Sequence, residues 1–379
     1  MVNQLLNNVK ENVKNQSARL LRPFGINLLS SQQSEAVLND YRIYRNESQR
    51  VTLNRVTDVL DPEKVLFESK EITTAPAYVW QYPVAGRGAR LLRNGGLRFG
   101  DQVLNTDFGN SALLKDVLKF DKRQPVRTDT LIAPWSHYWW GYHDYVVFVV
   151  AKLYRMKKVL PASTFADALV AYPLLNTPFE REWLDLLGCR PEQVVDSRTT
   201  DVRFARCVLG NSGNWFYPNV ADLVALRGYL ATQVAVPAEK RARLYIRRSG
   251  RRRVVNEEAL MQRLEAYDFT IVEDQPRSVA DQYRLYNNAR FILGPHGASF
   301  ANILWCKPGT HLFELFPNDY IPEFFRYMAQ VLGLRYSAYC HGDGSAATSH
   351  FSSVDHDVYV AVDELDRRLS RVLADDERA

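Results

Sequence analysis

RFILGPHGASFANILW, residues 290–305, is the stretch on which the fold turns. An apolar run from Phe291 to Leu293 ends at Gly294, and small residues then open a second apolar stretch. The first part has the length of a buried strand and the second that of a short helix, which predicts a tight strand-to-helix turn between them. Gly297, Ala298 and Ser299 have too little side chain to keep a ligand off the backbone. The amides of a helix start favour an anion such as a diphosphate, and His296 sits beside them. The same residues also make a tight turn that binds nothing, so the neighbouring sequence has to decide.

On either side, short apolar strands alternate with amphipathic helices. LYIRR (244–248) leads to a helix over 256–267, FTIVE (269–273) to one over 279–289, and HLFELF (311–316) to one ending at Gly333, before RYSAYC (335–340). This alternation predicts a parallel sheet wrapped by helices. Glu314 falls in a strand at the expected C-terminal edge of that sheet, where a carboxylate can accept hydrogen bonds from ribose hydroxyls. Arg247, Arg248, Arg251, Arg252 and Arg253 cluster after the first strand, and bidentate arginines suit a pyrophosphate.

The first half also reads as α/β, with strands expected at 64–69, 131–135, 167–172 and 203–210 and helices at 143–158 and 178–187. Residues 86–104 read as a β-hairpin with an exposed loop. A helix over 218–232 and the polar stretch 235–243 separate the halves. The division expected is therefore an N-terminal α/β domain at 1–235, a ligand-binding Rossmann-like domain at 236–355, and a final helix within 356–379 packing back across the first domain.

The length of 379 residues favours two domains, and 46% hydrophobic with 24% charged residues is ordinary globular usage. Cys189, Cys207, Cys306 and Cys340 are scattered and form no CxxC pair, which fits a reducing compartment, the cytoplasm. No run of about 18 apolar residues can span a membrane. Leu5, Val9 and Val13, with Lys10 and Lys14 nearby, form either a peripheral helix on the inner face of the cell membrane or a plain docking helix. The net charge of +5 suits a phosphate-bearing ligand as well as a polyanion. A nucleic-acid reading of the basic run 247–253 is opposed by the flanking Glu257, Glu258, Glu265, Glu273 and Asp274, so no nucleic-acid partner is expected.

Taken in order, Arg247, Arg253 or Arg252 with Asn256 and Glu257, Gln282, His296-Gly297-Ala298 with Asn302, and Pro308-Gly309 with Glu314 resemble the pattern of glycosyltransferase family 61, known from capsular and exopolysaccharide biosynthesis. Tyr142, His143 and Arg155 resemble its first-half pattern. Ser299-Phe300-Ala301 departs from the family's commoner Gly-Leu-Thr, and Asp144-Tyr145 from its aromatic pair. The resemblance implies a B-type architecture of two Rossmann-like domains facing a cleft. It implies inverting transfer from a nucleotide sugar, often UDP-linked, to a glycan or glycolipid acceptor in surface polysaccharide biosynthesis, with no cofactor. Gly294, His296, Gly297, Ala298, Ser299, Asn302, Glu314, Arg247, Arg253 and Asn256 would then bind the donor.

Inverting transfer needs a general base, expected in the first domain. His143 is the first choice because imidazole titrates near neutrality, Asp144 the second, and His137 and Asp107 remain open. His143 equally reads as one more hydrogen-bonding residue in a tryptophan-rich wall with Trp135, Trp139 and Trp140. Metal-independent turnover is expected. Asp355-His356-Asp357 offers the alternative of a metal-dependent A-type transferase, with His341, Asp343 and His350 nearby, although the pair lies beyond the strand-helix pattern.

Overall fold

The computed structural model describes residues 23, 25–84, 88–107, 122–237, 241–342 and 355–378. The expected amphipathic helix around Leu5, Val9 and Val13 lies outside them. The chain is mixed α/β and divides into two compact units, Met1–Gln49 with Thr74–Leu226, and Arg50–Thr73 with Arg227–Ala379.

The second unit is built on five parallel strands in the order Phe269–Val272, Ala242–Ile246, Ala289–Pro295, His311–Phe316, Arg335–Cys340. Its central strands are buried on both faces, which is why they read as unbroken apolar runs. The helices Glu257–Glu265, Val279–Asn287 and Phe324–Leu332 connect them. Ser278 caps the second by accepting a hydrogen bond from the Asp281 amide at 3.0 Å. Gly333 closes the third in the left-handed conformation, φ 71°, that glycine adopts without strain. The stretch after Gly297 is a 3₁₀ helix, Ala298–Trp305.

Two expectations change here. Residues 50–73, read from sequence as part of the first domain, fold with the second unit as nested antiparallel pairs, Arg50–Leu53 with Lys70–Thr73 and Val56–Thr57 with Val65–Phe67. Arg326 holds this excursion through three carbonyls, Leu53 (3.2 Å), Asn54 (2.7 Å) and Glu68 (2.7 Å). Arg368 grips both oxygens of Asp58 at 2.8 Å, and Leu66 and Phe67 pack on Phe316. The final helix, Val362–Arg378, does not serve the first domain: Leu365, Leu369, Val372 and Leu373 enter the core formed by Tyr245, Leu260 and Phe291. That apolar face finds its cover in its own unit.

The first unit carries a six-stranded sheet ordered Val194–Asp196, Leu169–Tyr172, Gln124–Ala133, Thr200–Gly210, Ala77–Pro83, Arg42–Asn46. The first four run parallel, Ala77–Pro83 runs antiparallel to them, and Arg42–Asn46 pairs antiparallel with Ala77–Pro83. The hairpin expected within 86–104 is present as Ala89–Leu91 with Leu97–Phe99, part of a small four-stranded sheet. The helix expected at 143–158 is compound: one turn at Tyr142–Asp144, a π-helix at Tyr145–Val150, then α-helix at Ala151–Val159.

Candidate functional site

At the His-Gly-Ala turn of the second unit the strand Ala289–Pro295 passes very close to its neighbour. A Cβ on Gly294 would lie 2.7 Å from the Ile246 carbonyl oxygen and 3.2 Å from the Phe300 ring, so only glycine fits. A Cβ on Gly297 would lie 1.7 Å from Nη1 of Arg248, because that guanidinium rests directly on the glycine backbone. Arg248 donates to the His296 carbonyl from Nη1 (3.4 Å), and Arg252 donates to the same oxygen from Nε (3.1 Å). Arg252 has φ 60° and is buried, its guanidinium 5.5 Å from the centre of the Tyr320 ring. Burial, and then repulsion from Arg252 and Arg251, push the Arg248 guanidinium down to about 10; burial also lowers Arg252. Two partly desolvated positive charges thus converge on a turn whose Ala298 and Ser299 are not fully covered, and an anion would relieve the cost of holding them there.

Arg247 and Arg253, the two expected to bind the donor, stand elsewhere. Arg247 is held between Glu257 (2.8 Å) and Glu273 (2.7 Å), and the exposed Arg253 pairs with Asp357 at 3.2 Å. Both border a cavity of about 800 Å³ that Arg248, Ser249 and Asp274 also line, so its wall carries both signs of charge. Asn256 is a clamp rather than a surface ligand: its amide donates to the Val360 carbonyl at 2.6 Å and accepts from the Val360 amide at 3.2 Å. Asn302 is buried and joins neighbouring helices, donating to Gln282 (2.6 Å) and accepting from Trp305 (3.0 Å).

Glu314 turns inward. It is fully buried, with Oε1 2.5 Å from Nδ1 of His296 and Oε2 accepting from the Tyr336 hydroxyl at 2.7 Å. Burial pushes its carboxyl up to about 8. Both oxygens are engaged inside the core, which removes the expected grip on ribose hydroxyls. The carboxylate instead sets the ring of His296, which stacks on Phe316 and Phe324, and so positions the carbonyl that receives the two arginines.

In the first unit, the loops at 134–141 and 211–219 follow the C-terminal ends of the adjacent parallel strands Gln124–Ala133 and Thr200–Gly210, the edge where open α/β sheets bind ligands. His143 and Asp144 lie beside them, half-buried. Asp144 Oδ1 accepts a 2.8 Å hydrogen bond from Trp215 Nε1 and stands 3.4 Å from His143 Nδ1. Sequence reasoning missed Trp215, although NWFYPN (214–219) directly after a strand was the available signal. Arg155 ties the second loop down through Asn211 (2.5 Å) and Asp222 (2.9 Å). The buried Lys152, which burial pushes down to about 8, donates to the Trp135 carbonyl in the first loop. His137 and Asp107 are both buried, the Asp107 carboxylate accepting the His137 amide, so that acid serves the backbone.

Asp355 pairs with Arg251 at 2.9 Å, Asp357 with Arg253 at 3.2 Å, and His356 lies 2.5 Å from Asp319. The two Asp-x-Asp carboxylates are therefore each engaged by one arginine of the basic run. Among the described residues no group of three His, Cys, Asp or Glu is placed to hold a metal ion, and no helix is long and apolar enough to cross a membrane. Asp343 and His350 lie outside the described residues.

The chain is similar to the xylan glycosyltransferase MUCI21 of Arabidopsis thaliana, with 30% identity over 98 residues. That alignment spans 24% of this chain and 20% of the plant protein. The family model for glycosyltransferase 61 matches residues 112–313, more than half of the chain, a span that takes in His143 and the His-Gly-Ala turn. The chain belongs to glycosyltransferase family 61.

Proposed function

We propose that this protein is an inverting, metal-independent glycosyltransferase with a B-type division of labour: the second unit binds a nucleotide-sugar donor, UDP-linked, and the first binds a glycan or glycolipid acceptor. The observation that carries the reading is the convergence of Arg248 and Arg252 on the His296–Gly297 turn. In the reaction, the acceptor hydroxyl oxygen bonds to the anomeric carbon as the bond from that carbon to the diphosphate breaks. The electron pair leaves with the nucleoside diphosphate, and the hydroxyl proton passes to a base, His143 or Asp144. Arg248, Arg252 and the amides after Gly297 take up the growing negative charge, the task a divalent cation performs in A-type enzymes. The product belongs to a surface polysaccharide, assembled at the inner face of the cell membrane.

Thermal stabilisation by UDP, GDP, CMP and dTDP tests the donor assignment. UDP is expected to raise the melting temperature most. Arg248→Ala is expected to weaken UDP binding by about 1.5–3 kcal/mol while the ligand-free melting temperature holds. Unchanged affinity would remove the turn from the donor site. Turnover abolished by EDTA and restored by manganese would return the role to Asp355 and Asp357.

A further inference from the structure

The loops around His143 and Asp144 carry an aromatic group that the transfer chemistry does not use. Tyr138 packs edge-on to Trp140 (ring centres 5.1 Å apart, 90° between planes) and against Trp215 (4.6 Å), which in turn meets Phe216 at 5.4 Å. The outermost ring, Trp140, is 59% exposed, whereas Trp135 in the same loop is 4% exposed. Leaving an indole mostly in water forgoes the gain of burying it, so a ring held outward by its neighbours points to a ligand that covers it. The polar groups are placed with it. Asp144 is anchored by Trp215, and a Cβ on Gly141 would lie 3.1 Å from Asp144 Oδ2, so the carboxylate sits against the backbone that carries Trp140.

An apolar ring face bordered by a fixed hydrogen-bond acceptor matches a pyranose, which has one face of C–H groups and a rim of hydroxyls. It does not match a phosphate or a uronate, which the carboxylate repels. The position agrees as well, since both loops leave the C-terminal ends of parallel strands.

We infer that Trp140, supported by Tyr138 and Trp215 and bordered by Asp144, is the stacking platform for an uncharged pyranose ring of the acceptor glycan. This deepens the proposed function and rests on it for the word acceptor, but the platform can be tested without donor or turnover. Saturation-transfer NMR on the full chain, with neutral xylo-, gluco-, manno- and galacto-oligosaccharides and the acyclic sorbitol as control, is expected to show saturation of ring C–H protons in at least one oligosaccharide and none in sorbitol. Trp140→Ala is expected to weaken binding of that oligosaccharide at least tenfold, Trp140→Tyr to retain it, and UDP stabilisation to be the same in all three proteins. No oligosaccharide signal in a protein that binds UDP overturns the platform and leaves the donor reading standing, as does equal affinity in Trp140→Ala. Oligosaccharide binding that disappears in Trp140→Ala, in a protein that ignores every nucleotide, supports the platform and overturns the donor reading.

Discussion

A buried carboxylate between an imidazole and a phenol is held by what each would lose without it. Removing the Glu314 side chain with Glu314→Leu would strand the Nδ1 of His296 and the hydroxyl of Tyr336 inside the core, at about 1–3 kcal/mol each. Glu314→Gln keeps one acceptor and one donor, and is expected to lose less than half as much stability in urea unfolding. A surface role in ribose recognition predicts the reverse: unchanged stability in both variants, with a selective loss of ribonucleotide over 2′-deoxynucleotide binding. From sequence, an acidic residue in HLFEL at a sheet edge reads as a ligand for hydroxyls, because a strand does not reveal which face closes over it. The arginine run shows the same limit. RRSGRRR announces a cluster, but only the turn at Arg252, φ 60°, sends Arg248 and Arg252 to His296 and leaves Arg247 and Arg253 to carboxylates.

At the scale of elements, legibility follows burial. The strands around 289–295 and 311–316 stand out because both faces are covered and the run is continuously apolar. Gln124–Ala133 is recognisable only in its last part: its first residues are mostly exposed and lack a continuous apolar run, yet their main chain pairs with Thr200–Arg206. Composition carries no trace of such pairing. The π-helix Tyr145–Val150 escapes for a related reason, since six consecutive buried residues have no period to distinguish one winding from another. Wider turns of this kind occur at functional sites, and this one directly follows His143 and Asp144. Which of the two serves as the proposed base is tested by comparing His143→Ala with Asp144→Asn at saturating substrates. Loss of the base is expected to lower turnover about 100-fold or more with UDP binding preserved. The 2.8 Å bond from Trp215 to Asp144 implies a separate signature for that acid: Trp215→Phe should raise the acceptor KM by releasing it, with turnover less affected.

The stability of the whole molecule answers to pH through a buried histidine of the second unit. His311 opens the strand His311–Phe316 of the second unit's sheet, stacked on Phe291 at 4.8 Å and bonded through Nε2 to Ser337 at 2.9 Å. Burial pushes it down to about 3 from an ordinary 6.5. Between those values the unfolded chain binds a proton that the folded chain refuses. Its contribution to stability is therefore complete above about pH 6.5 and falls as the pH drops, by up to about 1.4 kcal/mol per unit. His311→Gln is expected to flatten that acid limb in urea midpoints measured from pH 7 to 4, and an unchanged slope would mean another group carries it.

The excursion 50–73 makes the second unit discontinuous in time as well as in sequence. The ribosome releases it before any residue of the five-stranded sheet exists, and its partners Phe316, Arg326 and Arg368 come last. The first unit can close as soon as 226 has emerged, looping the excursion out. Arg50–Thr73 must then wait with its strand edges and Leu66 and Phe67 uncovered until Phe316, Arg326 and Arg368 have been made, so a late stretch of chain is what seals an early one.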